Sequence, residues 1–363
     1  MRSPALLLAL TGCAALTTLA WDVRPFTVDI PAADVQRMTF LASEARFPQL
    51  PEFVGGNATY GVELDVIESI RDQWVHDFNW TERREYLNSF AQFTVKIEDV
   101  DVHFVHQRSD DAGAIPLLML HGWPGSFHEY LPAGKAVIPS LPGFGFTPLP
   151  SVDWKIDDTA RVFNTLMVDV LGYSDYTVYG GDWGSAVGYV LYVDYASAVR
   201  ATQLSFLPFF PPTLAEARSA NASLDAFEVA TLALNDEFVS RGMGYFPRAI
   251  MEDPRRGTGP SVLTNTAILT EILLYYLTKS FLSSIWIYLQ QTFSPSYDVP
   301  KPSTPLGYSA FRYNIIWPRA YVEKVANVTF YNEHDFGGHF PGLDNPTALA
   351  ADIREMFGYF VRK

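Results

Sequence analysis

The chain has 363 residues, 48% hydrophobic and 18% charged, which makes it a packed globule rather than a disordered segment, with room for one large domain and an insertion or for two small domains. A formal net charge of −14 and the lack of any basic run argue against nucleic acid as a partner. A neutral substrate is compatible with that charge, and an anionic one gets no help from it. Aromatic residues make up 15% and suit an apolar pocket or an aromatic core equally.

Met1-Arg2-Ser3-Pro4 precedes an apolar run over residues 5–20 that ends Thr18-Leu19-Ala20. This predicts a secretory signal peptide over residues 1–20, cut after Ala20, and hence a secreted or lumenal protein. Two alternatives stand: a membrane anchor through residues 5–20, short against the ~20 apolar residues of a span, and a bacterial lipoprotein box at Leu10-Thr11-Gly12-Cys13. Sequons at Asn57, Asn79, Asn221 and Asn327 are what a eukaryotic secretory glycoprotein carries. Cys13 is the only cysteine. A chain cut after Ala20 therefore has no disulfide, no cysteine nucleophile and no zinc–thiolate site.

Helices are predicted from Pro31, over Val62–Asp77, where Val66, Ile67, Ile70, Trp74 and Val75 have helical spacing, and over Trp80–Ser89. Phe93–Ile97 and Val100–His106 alternate as strands across an acidic turn. His103 and His106 cannot face one way on a strand of period two, so they read as strand histidines rather than metal ligands. Residues 115–121 are an unbroken apolar run, as in a strand buried on both faces of a parallel sheet. The run ends in His121-Gly122-Trp123-Pro124-Gly125-Ser126, a turn whose backbone N–H groups are free to bind an oxyanion. Ala136–Pro139 is a strand, residues 140–146 a loop, and Asp157–Leu171 an amphipathic helix.

Next comes Tyr176–Tyr179, a strand, then Gly180-Gly181-Asp182-Trp183-Gly184, then a helix-compatible run, Ala186–Val193. This is the punctuation of a nucleophile elbow with Asp182 in place of serine. Cβ atoms at Gly180 and Gly184 would collide with the helix backbone. An elbow carboxylate forms a covalent ester by displacing a leaving group from carbon. The plain alternative is a tight strand–helix turn with an aspartate N-cap. Strand, helix, strand in this order is doubly wound α/β.

Leu207–Pro212 reads as a linker and residues 213–296 as helices. The run Leu263–Gln291 has few charges and reads as a buried helix pair, with a membrane-facing patch the rarer reading. The α/β pattern resumes with a strand at Gly307–Phe311, a helix at Pro318–Val325, a strand at Val328–Tyr331, a loop carrying His339 and a helix at Pro346–Val361. A nucleophile followed by a loop histidine has the chain order of α/β-hydrolases.

Further stretches join these: Phe78-Asn79-Trp80, Leu87 to Phe93, Val102 to His106, Pro139 to Phe146 and Gly337-Gly338-His339-Phe340. Together and in order, the set resembles the microsomal-type epoxide hydrolases, including their fungal and juvenile-hormone branches, over nearly all of the chain. The resemblance implies an α/β-hydrolase fold with a mostly parallel sheet, a helical cap and a wrapping N-terminal segment. Its divisions fall at 21–112 for the N-terminal domain, 113–210 and 301–363 for the two parts of the core, and 211–300 for the cap. It also implies hydrolysis of a small apolar epoxide by water to a vicinal diol, with no metal and no organic cofactor. Asp182 would be the nucleophile and His339 the base. The N–H groups of Trp123 and Trp183 would form the oxyanion hole. Tyr245 and Tyr288 would donate their hydroxyls to the epoxide oxygen.

Three departures from the family stand out. Its histidine-orienting acid position reads Asn314, an amide without charge, which should slow ester hydrolysis more than alkylation. Glu333 and Asp335, in the histidine loop, are the alternative anions. Only ten residues separate Ser126 from Val137, and the cap is short after Tyr245. Two rivals follow: a haloalkane or haloacid dehalogenase, which also uses an elbow aspartate, and a catalytically impaired binding protein.

Overall fold

The computed structural model describes residues 21–48, 63–241, 258–290 and 296–361. The predicted signal peptide, Asn57 and Tyr245 lie outside the described residues. Among the described residues nine strands form one sheet in the order β1-β2-β3-β5-β4-β6-β7-β8-β9. They are β1 (Arg24–Phe26), β2 (Gln92–Ile97), β3 (Val100–His106), β4 (Leu117–Leu120), β5 (Val137–Pro139), β6 (Tyr176–Gly180), β7 (Val199–Leu204), β8 (Pro305–Tyr313) and β9 (Asn327–Gly338). The three N-terminal strands pair antiparallel, and the pairs from β5 through β9 are parallel. All five residues of β6 and the last three of β4 are buried, as continuous apolar runs require in a sheet covered on both faces.

The N-terminal segment lays helices Ala32–Ser43 and Leu64–His76 ahead of the β2–β3 hairpin. Asn88 ties its start down: the side chain accepts from Val28 N at 2.8 Å and donates to Val28 O at 3.0 Å. His103 and His106 are buried structural residues. His103 lies between Ser140 Oγ (2.9 Å) and Gln92 Oε1 (3.0 Å), and His106 Nε2 meets the Tyr173 hydroxyl at 2.9 Å. Burial pushes their imidazoles down to about 3 and about 4.

The short interval after Ser126 is accommodated by a 3₁₀ helix, Phe127–Ala133. This helix rises ~2.0 Å per residue against ~1.5 Å in an α-helix, so few residues span from β4 to β5. From β4 the chain moves to one side of the sheet, and from β5 it returns past β4 to β6. The carboxyl ends of β4 and β6 therefore flank the crevice where an open α/β sheet binds ligands.

Three expectations need correction, and a fourth, the buried helix pair, holds for its first helix only. The predicted helix Asp157–Leu171 is an α-helix, Ile156–Thr165, followed by a π turn, Leu166–Val170, that keeps Leu166 and Met167 in the core. The supposed linker is core: Leu207 and Phe209 pack in one cluster with Trp317, because apolar side chains gain more from burial than a spacer gains from freedom. β9 extends to Gly338, so Glu333 and Asp335 are strand residues rather than loop residues. The run Leu263–Gln291 is two helical pieces, Asn265–Thr278 and Phe281–Gln290, bent by 103° at a left-handed Lys279. The first buries Leu269, Leu273 and Leu274, whereas Leu282 and Leu289 on the second are exposed. Among the described residues no single helix is long and apolar enough to cross a membrane.

The other three sequon asparagines are exposed. Asn79 caps helix Trp80–Asn88, accepting from Thr81 N at 3.0 Å, and Asn327 Nδ2 donates to Ser303 O at 2.7 Å. Asn221 sits in a left-handed turn with φ 52°.

Candidate active site

The elbow forms as the glycines require. A Cβ on Gly180 would stand 2.4 Å from Gly184 O, in the helix backbone. A Cβ on Gly184 would instead meet Leu120 O at 1.9 Å, so this glycine admits the neighbouring strand β4 rather than the helix that the sequence suggested. Asp182 opens helix Asp182–Asp194 with φ 45°, a left-handed conformation that a non-glycine residue adopts at a cost. That strain lifts its carboxylate into the crevice. The turn after β4 comes so close that a Cβ on Gly122 would lie 2.0 Å from Asp182 Oδ1.

Each oxygen of Asp182 has a separate partner. Trp123 N–H donates to Oδ1 at 2.7 Å. His339 Nε2 meets Oδ2 at 2.9 Å. On the far side of the ring, His339 Nδ1 meets Asn314 Oδ1 at 2.6 Å, and Asn314 Nδ2 donates to Ser205 O at 2.7 Å. A backbone carbonyl only accepts, so this last bond turns the amide oxygen of Asn314 toward the histidine. With Asp182 ionised, both ring nitrogens of His339 then face acceptors. Asp182, His339 and Asn314 are all buried.

The alternative anions lie elsewhere. The Nδ1 position is taken by Asn314, while exposed Asp335 reaches Arg312 Nη1 at 3.4 Å. Glu333 belongs to an acidic group at another surface. There partial burial, with Asp225 and Glu228 beside it, pushes its carboxyl up to about 7.

The turn that carries Trp123 is braced from below. His121 Nε2 accepts from Leu141 N at 3.1 Å, which leaves Nδ1–H to donate to Gly122 O at 3.1 Å. Burial pushes this imidazole down to about 4, so it stays neutral and keeps that tautomer. The cap is fastened to the same loops. Tyr275 donates to Gly125 O at 2.7 Å, Ser283 to Gly143 O at 2.6 Å, and Trp123 Nε1 to Ser284 Oγ at 3.2 Å.

Tyr288 stands over the elbow. Its ring lies edge-on to Trp183 at 4.9 Å and to Trp123 at 5.7 Å. The structure thus brings together Asp182, His339, Asn314, Trp123, Trp183 and Tyr288; Tyr245 is outside the described residues. Sequence reasoning missed the carbonyl of Ser205 and the hydroxyl of Tyr275. A backbone carbonyl has no mark in a sequence, and Tyr275 is one tyrosine among nineteen.

Residues 23–130 match the family profile described as "Epoxide hydrolase N terminus", and residues 115–221 match "alpha/beta hydrolase fold". "Epoxide hydrolase 1" of Oryctolagus cuniculus is 26% identical over 412 residues, covering 94% of this chain and 90% of that protein. The structure of an Aspergillus niger epoxide hydrolase superposes with a TM-score of 0.79 at 29% identity, covering 93% of this chain and 96% of that one. The juvenile hormone epoxide hydrolase of the silkworm Bombyx mori gives a TM-score of 0.80 over 94% of this chain and 95% of that one; at 20% identity it speaks to the fold alone.

Proposed function

The chain belongs to the α/β-hydrolase-fold epoxide hydrolases that begin with the epoxide hydrolase N-terminus, and from that premise we propose that it opens an apolar epoxide to a vicinal diol through a covalent ester on Asp182. One observation carries the mechanism. A buried elbow carboxylate has one oxygen held by the Trp123 N–H at 2.7 Å and the other facing His339 Nε2 at 2.9 Å.

Oδ2 attacks an epoxide carbon, and the C–O bond to the ring oxygen breaks. That oxygen takes a proton from the Tyr288 hydroxyl, with Tyr245 as the second donor. A phenol of pKa about 10 suits an alkoxide far more basic than itself. Oδ1 becomes the ester carbonyl oxygen and stays beside the Trp123 N–H. The Trp183 N–H, in the first turn of its helix, is the second donor. His339 Nε2 then takes a proton from water, whose oxygen adds to the ester carbon. Negative charge gathers on Oδ1. Collapse expels the diol oxygen, which takes the proton back from His339, and the second water proton, left on the restored Asp182 carboxyl, returns to the Tyr288 phenolate. Asn314 orients the imidazole throughout.

The test is a single turnover in ¹⁸O-water. Water attacks the ester carbon, so the heavy oxygen is expected in the Asp182 carboxylate, and the diol carries the oxygen that Asp182 supplied. Heavy oxygen in the diol of that first turnover would mean that water attacks the epoxide directly and that Asp182 acts only as a base.

A further inference from the structure

Beneath the elbow, three hydroxyl groups converge on Gly181, the residue before Asp182. A Cβ added there would lie 3.0 Å from the Tyr130 hydroxyl, 3.4 Å from Ser205 Oγ and 3.7 Å from the Tyr179 hydroxyl. All three side chains are fully buried. The ring of Tyr130 stands edge-on to that of Tyr179 at 5.5 Å, and the Tyr179 hydroxyl and Ser205 Oγ share a hydrogen bond of 2.8 Å. Burial pushes both phenols, and the adjoining carboxyl of Glu129, well above their ordinary ranges, so each keeps its proton near neutral pH. The cluster therefore acts by geometry rather than by titration.

What the cluster holds is Ser205. Its N–H donates to Gly180 O at 3.1 Å, its Oγ is bonded to Tyr179, and its carbonyl accepts from Asn314 Nδ2 at 2.7 Å. Tyr179 and Gly180 are the last two residues of β6, the strand that runs into the elbow. The carbonyl that orients Asn314 is thus fixed at two points to the strand that carries the nucleophile.

The amide gives this attachment a consequence. A carboxylate at 314 would present an oxygen to His339 whichever way it turned, whereas an amide has two different ends. With its oxygen at Nδ1, the ring carries its proton there and leaves Nε2 as the base. With its NH₂ group at Nδ1, the ring must accept there, its proton moves to Nε2, and no lone pair faces the water. We propose that Tyr179 and Ser205 are positioning residues for ester hydrolysis: their bonded hydroxyls hold the Ser205 carbonyl where only the N–H end of Asn314 can meet it. This rests on the covalent ester proposed above.

Tyr179→Phe keeps the ring and its packing and removes the hydroxyl. In rapid-quench turnover of styrene oxide, ester formation should be unchanged and ester hydrolysis about tenfold slower, the scale of one neutral hydrogen bond. In the Asn314→Asp background the same change should have no effect on either step, because a carboxylate has no wrong end. A second readout does not depend on turnover. The Asn314 side-chain amide, identified in ¹⁵N spectra by its absence from Asn314→Asp, should exchange its protons with water about tenfold faster in Tyr179→Phe than in the natural chain. If Tyr179→Phe fails to fold by circular dichroism, Ser205→Ala removes the other hydroxyl of the pair and takes its place. Equal losses of hydrolysis in both backgrounds, as a merely structural role would give, an equal loss of ester formation, or unchanged exchange of the Asn314 amide would each overturn the proposal. A natural chain that forms no ester would refute the covalent mechanism instead, and the amide exchange would still decide what Tyr179 and Ser205 hold.

Discussion

Replacing Asn314 by Asp changes one atom and two interactions. Toward His339 it sets a negative charge where an amide oxygen now lies 2.6 Å from Nδ1. With charge centres ~4 Å apart and an effective dielectric of about 20, attraction for an imidazolium is ~4 kcal/mol. Toward Ser205 it replaces an N–H donor with an oxygen, at a site where the donor now sits 2.7 Å from the carbonyl. Leaving that buried carbonyl unpaired costs about 1–3 kcal/mol. The remainder, about 1–3 kcal/mol, lowers the barrier as His339 takes its proton from water, a gain of about 5- to 150-fold. This falls short of the ~10⁴ associated with exchanging acid for amide in serine triads, because the pocket around Asn314 is built for an amide. The assay is rapid-quench turnover of an apolar aryl epoxide such as styrene oxide. The natural chain should consume about one equivalent per site in a burst and then turn over slowly. Asn314→Asp should leave the burst rate unchanged and speed the slow phase. A natural chain without a burst would refute the reasoning. So would a variant that forms ester yet shows the same slow phase from pH 6 to pH 9.

Tyr288→Phe keeps the ring contacts with Trp123 and Trp183 and removes only the donor, so alkylation in a single turnover should fall ~10²–10⁴-fold while ester hydrolysis is unchanged; unchanged alkylation would remove Tyr288 from the mechanism. Glu333 gives a pH signature in stability: burial and the charges of Asp225, Glu228 and Asp335 push its carboxyl from the ordinary 4.5 up to about 7. Between those values the folded chain holds a proton that the unfolded chain has lost, so stability falls as pH rises through the window. Glu333→Gln should flatten that slope in denaturation midpoints taken at pH 5 and pH 7, and equal slopes in the two proteins would contradict the assignment.

The parts of the site legible in the sequence are those where geometry restricts residue type. Gly122 and Gly184 stand where a side chain would strike the carboxylate or the next strand, so the elbow and the oxyanion turn had to be marked by glycine. His339 was legible because few side chains can act as a base near neutral pH. The length of β9 was not legible. Glu333-His334-Asp335 followed by Gly337-Gly338 has the composition of a loop, and only pairing with β8 makes it a strand, from Pro305 opposite Asn327 to Tyr313 opposite Gly338. Glu129 carried no signal either. In a polar-looking turn it reads as a surface charge, and its burial arises from the 3₁₀ crossover packing against the short helix Pro341–Asp344, where a Cβ added to Gly342 would stand 2.8 Å from Glu129 O.

The amide at 314 also bears on when His339 becomes a base. At rest the ring lies between the Asp182 carboxylate at Nε2 and the Asn314 oxygen at Nδ1. Alkylation of Oδ2 removes the charge from one side only. The Asn314 oxygen still accepts from Nδ1–H, and the charge that faced Nε2 is gone. The ring is left in the tautomer whose Nε2 lone pair faces the ester, as attack by water requires. An amide at 314 thus fixes the tautomer without a charge. What it does not supply is stabilisation of the imidazolium that forms as water is deprotonated. Tautomer control without charge stabilisation should let the ester form at full rate and slow its hydrolysis, which is the burst expected above. A protein that only binds its ligand would need neither the strained φ at Asp182 nor the bond from Asn314 to Ser205, and the retention of both favours slow turnover over none.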